Sequence, residues 1–421
     1  MSIKSHRNSD ILWIARQRCG SIPVMTDSPR EPGIVATDAA DLLAILRDGI
    51  PRTRAQLAEL TGLARSTIAV RIDSLTAAGL VAPAGDDVST GGRPPARIRF
   101  NPGSRVAIAI DLGATHGVVA LADLAGNIMT SESQRLLISD GPEAVLDWAI
   151  ASAKRLYAAT GRPPDDLIGI GIGVPGPVEH STGLPVNPPI MAGWDRFGIP
   201  AYVRRVFDVP VLVDNDVNLL ALGEHALIWP DQTDILFVKV ATGIGAGIIS
   251  GGRLQRGAQG SAGDLSHVRV PFGIETPSHG AQEADLEALA SGPAIARTLT
   301  AAGVPADSSD DVVALARTGS PAVLQAIRQA GRDLGEVIAT CVNLLNPSLV
   351  IVGGSLSRVG EQLLAGVREV VYHRSTPLAT QHLTITQSRS GETGGAIGAA
   401  IMVIQHALDP ETASARSFSS R

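Results

Sequence analysis

Two glycine-rich loops do most to limit what this chain can fold into. The first, Asp111-Leu112-Gly113-Ala114-Thr115-His116-Gly117, closes an apolar run that begins at Arg105. The second, Ala241-Thr242-Gly243-Ile244-Gly245-Ala246-Gly247, closes another over residues 234–240. Each reads as a buried strand ending in residues too small to shield their own backbone. Between them lies Val213-Asp214-Asn215-Asp216-Val217-Asn218, at the end of a third apolar run over residues 209–213. Such runs, alternating with helical periodicity, predict an α/β fold. Two similar units of strand, Gly-Thr loop and strand fit a duplicated, two-lobed core.

The rest of the chain after residue 105 follows suit. Strands over residues 117–121 and 126–129 are expected to form a hairpin, and a helix covers residues 141–159. Leu167-Ile168-Gly169-Ile170-Gly171-Ile172-Gly173-Val174 reads as a strand closed by Pro175-Gly176-Pro177. The last third is mostly helical, broken by an apolar strand over residues 348–354. With 44% hydrophobic and 18% charged residues in 421, the chain has the make-up of two or three folded domains. Only 3% is aromatic, so Ala, Val, Leu and Ile must fill the core. No apolar run reaches the ~18 residues of a membrane helix. Residues 11–15 are too short for a signal-peptide core, and a cytoplasmic protein is expected. Cys19 and Cys341 offer neither a disulfide framework nor a metal pair.

Residues 1–36 lack periodicity and read as a flexible arm, with Met25 a second candidate start. A helix is expected from Thr37, with Leu42, Leu43, Ile45 and Leu46 on one face and Gly49-Ile50-Pro51 as its stop. Thr53-Arg54-Ala55-Gln56 is a capping box that opens a second helix. Thr61-Gly62-Leu63 makes the turn into a third helix over residues 65–78. There Ile68, Ile72 and Leu75 face inward, so Ser66, Thr67, Val70, Arg71 and Ser74 face out, as in a recognition helix that enters the major groove. Alternating Arg97-Ile98-Arg99-Phe100 reads as the second strand of a wing, and Arg93, between glycine and proline, suits a narrow minor groove or a phosphate. Arg65, Ser66, Thr67, Arg71, Ser74, Arg93 and Arg97 are the expected DNA contacts. Residues 1–105 carry 14 basic and 10 acidic side chains, leaving 21 basic and 31 acidic in the remainder. A basic head on an acidic body suits contact with a phosphate backbone. The alternative is a three-helix unit used for protein contacts.

The loops have a chemistry of their own. Gly113, Gly243, Gly245 and Gly247 let backbone amides approach phosphate oxygens with no Cβ in the way. Asp111, at a strand end, is placed to hold a metal-bound water, and Gly353-Gly354 to meet a nucleotide base. Asp111, Gly113, Thr115, Thr242, Gly243, Gly245, Gly353 and Gly354 form the expected nucleotide set. One phosphate loop, a carboxylate and a second phosphate loop are the layout of a sugar kinase. A lone glycine loop is an ordinary tight turn, and Asp216 has the alternative of being a helix N-cap.

From about residue 37 to 409 the chain resembles the ROK family (repressors, open reading frames and kinases). Beyond the loops, the resemblance rests on Gly171-Ile172-Gly173-Val174-Pro175-Gly176-Pro177, Asp264-Leu265-Ser266-His267, Leu286-Glu287-Ala288-Leu289-Ala290-Ser291-Gly292 and Gly394-Gly395-Ala396-Ile397-Gly398-Ala399-Ala400. It implies a winged helix-turn-helix over residues 37–104 joined to an actin-like, two-lobed sugar-kinase domain, a duplicated ribonuclease H-like fold. The first lobe would take residues 105–218 and 390–409, the second 219–389, with 410–421 a disordered tail. By the same resemblance Asp216 matches the catalytic base, if kinase activity is retained, and Asn215, Asp216, Asp264, His267 and Glu287 match sugar-hydroxyl ligands.

Several family features are altered. The zinc knuckle of the family is rich in cysteine, yet residues 270–287 contain none, and Asp285 stands where the last belongs. His267 with His279 is a poor substitute for four soft or imidazole ligands, so no zinc is expected. The box that begins with Glu in the family begins with the shorter Asp264, and Ser266 replaces its glycine. The sugar segment, Asn187-Pro188-Pro189-Ile190-Met191-Ala192-Gly193-Trp194, lacks its asparagine at the usual place, and His116 replaces a common lysine. An ångström of displacement costs about a hundredfold in rate, so an efficient kinase is not expected. The implied function is a sugar-responsive transcriptional regulator, a repressor by preference. It would bind a palindromic operator as a homodimer or homotetramer and need no cofactor; ATP and Mg²⁺ enter only if kinase activity survives. The alternatives are an ATP-dependent sugar kinase with a DNA-binding arm, and a regulator whose cleft no longer binds sugar.

Overall fold

A computed structural model of the protein describes residues 39–84, 96–270 and 285–408. The expected arm, the expected tail and Arg93 lie outside the described residues.

The head is three helices and a small sheet. α1 (Ala39–Leu46), α2 (Arg54–Thr61) and α3 (Arg65–Ala77) bury Leu42, Leu46, Leu57, Ile68 and Ile72 against one another. The Thr53–Gln56 capping box forms in both directions, and Gly62 closes α2 in the left-handed region, φ 69°. β1 (Arg52–Thr53), β2 (Val81–Pro83) and β3 (Arg97–Phe100) pair antiparallel in the order β1-β3-β2. This is a winged helix-turn-helix.

Two five-stranded sheets follow, and they share one topology. The first holds β4 (Val106–Leu112), β5 (His116–Asp123), β6 (Ile128–Arg135), β7 (Leu167–Val174) and β10 (Val211–Asn215), in the order β10-β7-β4-β5-β6. α4 (Pro142–Ala159), the short pair β8 (Val178–Glu179) and β9 (Leu184–Pro185), and α5 (Ile199–Arg204) cross outside it. α6 (Asp216–Ile228) then leads to the second sheet. That sheet holds β11 (Ile235–Val240), β12 (Ile244–Ser250), β13 (Arg253–Gln255), β14 (Leu349–Gly353) and β15 (Thr384–Gln387), in the order β13-β12-β11-β14-β15. Its outer face is covered by α7 (Leu286–Ala290), α8 (Gly292–Ala301), α9 (Ser309–Ala316), α10 (Pro321–Leu345) and α11 (Glu361–Arg374), with α12 (Pro377–Thr380) before β15. α13 (Gly394–Leu408) closes the described chain.

In each sheet the first three strands are antiparallel, and the fourth and fifth run parallel to the first. The duplicated, actin-like α/β fold follows from this repeat. Each glycine loop is the hairpin between the first and second strands of its sheet. The two loops therefore face each other across α6 and α13, which pack between the sheets.

Glycine makes that packing possible. On β7, Ile170, Ile172 and Val174 face the outer core while Gly169, Gly171 and Gly173 face inward. A methyl at 171 would strike the Ala399 carbonyl of α13. Gly223 and Gly398 bring α6 and α13 into backbone contact in the same way. No helix among the described residues is long and apolar enough to cross a membrane.

Candidate functional site

The carboxylates of the cleft come from strand ends. Asp111, the sixth residue of β4, is 6% exposed and lies against Gly395 at the start of α13. Burial pushes its carboxyl up to about 7; the charge of Asp216 adds to this and Lys239 opposes it. Asp216 begins α6 and is 5% exposed. The helix cap expected as the alternative for Asp216 belongs instead to Asn215. Its Oδ1 accepts the Val217 N–H at 2.9 Å, and its Nδ2 donates to the Gly176 carbonyl at 2.8 Å. Asn215 is thus engaged on both sides, whereas Asp216 is left to pair with the Lys239 ammonium.

A second knot sits one residue earlier. Asp214, 1% exposed, accepts from the Asn215 N–H at 2.8 Å, Asn218 Nδ2 at 2.8 Å and Arg256 Nε at 2.7 Å. Arg256 follows β13, so this ion pair joins the second lobe to the first. His180 lies 3.5 Å from Asp214, and burial followed by the nearby Arg256 charge holds its imidazole below the usual range. A buried charge held by this many donors is a positioning element of the cleft wall.

The expected nucleotide set is distributed as follows. The His116 imidazole lies over Gly113, where a side chain would overlap the ring. His116 keeps an exposed edge at the hairpin, while desolvation of its ring, followed by the Lys239 charge, holds its pKa below the usual imidazole range. Thr115 and Thr242 are exposed at the two hairpins. Glu287 Oε2 accepts the Ile244 N–H at 3.0 Å and stands 2.9 Å from where a Gly243 Cβ would be. Gly245 faces Val217 of α6. Gly353 lies against the Phe237 ring, and Gly354, φ 84°, against the Val240 carbonyl, so both glycines also serve strand packing.

Of the expected sugar ligands, Asp216 pairs with Lys239 at the start of α6, Glu287 holds the Ile244 N–H of the second loop, and Asn215 caps α6. Asp264 and His267 are both exposed, on a segment whose backbone is bonded to that of Glu287 through the Ser266 carbonyl at 3.1 Å and to Ala246 through the Gly263 carbonyl at 2.7 Å. Asp264 accepts from Ser266, its backbone N–H at 3.2 Å and its hydroxyl at 2.5 Å. His267 lies 3.6 Å from Asp285.

Neither inherited cofactor suits this donor set. A metal-bound nucleotide needs an unpaired carboxylate and open loop amides. Here Asp216 holds an ammonium, His116 roofs Gly113, and Glu287 takes the Ile244 amide. For zinc, His267 is paired with a carboxylate and the segment carries no thiolate; His279 lies outside the described residues.

On the head, α3 exposes Arg65, Ser66, Val70 and Ser74, with Thr67 and Arg71 half-buried. Asp73 pairs with Arg54 of α2 at 2.7 Å. Arg97, on β3, is half-buried. The C-terminal end of α3 is held by the linker and by the first residue of the first lobe. Asn101 Nδ2 donates to the Gly79 carbonyl at 2.9 Å and Arg105 to the Ala78 carbonyl at 3.3 Å. Arg105 also pairs with Asp166 at 3.5 Å, and Arg162 spans Asp166 at 3.1 Å and the Gly103 carbonyl at 2.8 Å.

Sequence reasoning missed Lys239 and the Arg256–Asp214 link. A lysine inside Ile235-Leu236-Phe237-Val238-Lys239-Val240 was the available signal, because a charge within a buried strand needs a partner. Arg256 left no such mark, since it sits in a polar turn.

Comparison with known proteins agrees with the geometry. The profile of the ROK family matches residues 107–406. The xylose repressor of Caldicellulosiruptor bescii is 30% identical over 376 residues, covering 86% of this chain and 94% of that protein. The crystal structure of a ROK family transcriptional regulator, a homologue of the Escherichia coli MLC protein, is 25% identical with a TM-score of 0.77, covering 91% of this chain and 98% of its own. A ROK family glucokinase from Streptomyces griseus, solved with glucose and AMPPNP, is 26% identical with a TM-score of 0.60, but covers 70% of this chain while using 98% of its own.

Proposed function

Because the chain belongs to the ROK family, we propose that it is a sugar-responsive transcriptional repressor whose cleft senses a ligand and does not phosphorylate it. Residues 37–104 form the DNA reader in this reading, residues 105–218 with 390–409 the first lobe, and residues 219–389 the second. The division after residue 218 falls inside α6, which would act as the shared spine. A homodimer would set two α3 helices on a palindromic operator. Asp216 and Glu287 would meet sugar hydroxyls from the two sides of the cleft. The observation that carries the reading is the junction: Arg105, of the lobe that bears Asp111 and Asp216, donates to the Ala78 carbonyl at the end of the exposed α3, and Arg162 of that lobe holds the Gly103 carbonyl of the linker. Movement of that lobe on ligand binding would carry the recognition helix with it. Such coupling requires a ligand that favours one lobe arrangement over another.

Titration of the full chain against duplex fragments from its own genomic neighbourhood, with and without a panel of sugars, tests this. Wild type binds one fragment, and one sugar changes that affinity. Arg71→Ala weakens DNA binding and leaves sugar affinity unchanged. Unaltered DNA affinity in that variant would remove α3 as the reader. A second reading, an ATP-dependent sugar kinase with a DNA-binding head, draws on the retention of both Asp111 and Asp216 at their strand ends. Coupled ADP release above about 1 s⁻¹ with any hexose, absent in Asp216→Ala, would establish it over the first.

A further inference from the structure

We propose that Lys239 is the resident cation of the interlobe cleft: its ammonium takes the place a divalent metal would hold beside Asp216 and Asp111, so that ligand binding there needs neither metal nor nucleotide. The side chain is built into the sheet. Lys239 lies on β11, the central strand of the second sheet, and its register partners on both sides are glycines, Gly245 of β12 and Gly353 of β14. Directly opposite residues share a face, so neither cross-strand neighbour adds a side chain of its own, and the resulting trough is bounded by the Phe237 ring over Gly353 and by Val217 of α6 near Gly245. The trough opens toward the first turn of α6, where the ammonium meets Asp216. Lys239 is 21% exposed at its side chain and Asp216 7%, so the pair is largely withdrawn from water and weakly screened. The lysine's field also reaches Asp111 and His116.

Gly245 and Gly353 are also packing positions: the Phe237 ring lies over Gly353, and Val217 of α6 faces Gly245. The phosphate cradles are filled in kind, with the His116 ring over Gly113 and the Glu287 carboxylate on the Ile244 N–H. One cation, one ring and one carboxylate of the chain itself thus engage the carboxylate and the two glycine loops expected to serve a nucleotide. A divalent ion brought to Asp216 would meet a like charge already in contact with the carboxylate, and would have to displace it.

Manganese binding decides the matter, and neither DNA nor sugar enters the test. Free Mn²⁺ is followed by electron paramagnetic resonance during titration of the full-length wild type, Lys239→Met, Lys239→Thr and Lys239→Arg; thermal midpoints are recorded with and without Mn²⁺. Wild type and Lys239→Arg are expected to leave millimolar Mn²⁺ free. The neutral variants are expected to bind one Mn²⁺ at least tenfold more tightly, and a second change, Asp216→Asn, should abolish that gain. If a neutral variant folds poorly, its midpoint should rise with Mn²⁺, the metal replacing the lost ammonium. Stoichiometric Mn²⁺ binding by wild type, or neutral variants that gain neither affinity nor midpoint, would overturn the proposal.

Discussion

Asp111 shows how a single buried carboxyl sets a pH dependence. Its folded pKa of about 7 lies above the ordinary 3.8, first because burial penalises the charged form and then because Asp216 is already negative. Between about pH 4 and pH 7 the native state therefore holds a proton that the unfolded chain has lost. Stability contributed by the neutral carboxyl is full below the unfolded pKa and falls away as pH rises through 7. Asp111→Asn removes that slope. In urea unfolding it should gain roughly 1–3 kcal/mol over wild type at pH 8 and almost nothing at pH 4. Equal effects at both pH values would mean the carboxyl is ionised throughout. The neighbouring residues mark the limit of reading such a site from sequence. Asp-Asn-Asp announced a carboxylate at a strand end, but not which residue caps α6. An N-cap needs extended backbone just before the helix, and that depends on where the strand stops; Asn215 has φ −65° and ψ 141°, so it takes the role.

At the scale of elements, periodicity and caps carried most of the fold. The Thr53–Gln56 capping box, the Gly62 turn and the inward row Ile68, Ile72 and Leu75 were legible because each depends on residues only a few positions apart. β7 was legible as a strand for the same reason, but its glycines had no visible purpose until α13 was set against them. Their function is non-local: they leave space for a helix more than two hundred positions further along the chain. Gly171→Ala is the direct test, since the new methyl would meet the Ala399 carbonyl and neither backbone can yield without moving the sheet. Overpacking of this kind costs about 1–3 kcal/mol where side chains can shift, and a larger loss is expected against backbone. Thermal unfolding should show a midpoint lower by about 10 °C or more, or no folded protein at all. A midpoint within a degree or two of wild type would mean that α13 sits further from β7 than it does here. β15 escaped notice because Thr384-Ile385-Thr386-Gln387 is short and mostly polar, and only its pairing with β14 makes it a strand. Lys239 escaped for a related reason: its partner is 23 residues away, on another element.

The molecule as a whole joins a DNA reader to a two-lobed cleft, and the junction is narrow. The head's core is continuous with the inner face of the first sheet, so the two cannot tumble independently. Within that junction Asp166 is the hub, paired with Arg105 at 3.5 Å and Arg162 at 3.1 Å, and both arginines reach carbonyls of the head or its linker. The side chains are 33%, 22% and 20% exposed for Arg105, Arg162 and Asp166, so each pair contributes little to folding, on the order of 1 kcal/mol or less. Their value lies in direction. The carbonyl of Ala78 ends α3, so an Arg105 fixed by Asp166 would make the axis of α3, the proposed recognition helix, follow the first lobe. Releasing the hub should therefore separate two quantities that a general loss of stability would move together. In Asp166→Ala, operator affinity without sugar is expected to stay within about threefold of wild type, because the reading face of α3 is untouched. The change in operator affinity produced by saturating sugar should shrink by at least as much as one coupling interaction of this size supports, about fivefold. Sugar affinity in the absence of DNA should not move. Fluorescence anisotropy of a labelled operator, with and without the sugar, measures all the DNA terms on one sample. If the variant kept the full sugar response, the signal would travel through the shared hydrophobic core instead, and the arginine–aspartate hub would be a surface ornament of the linker.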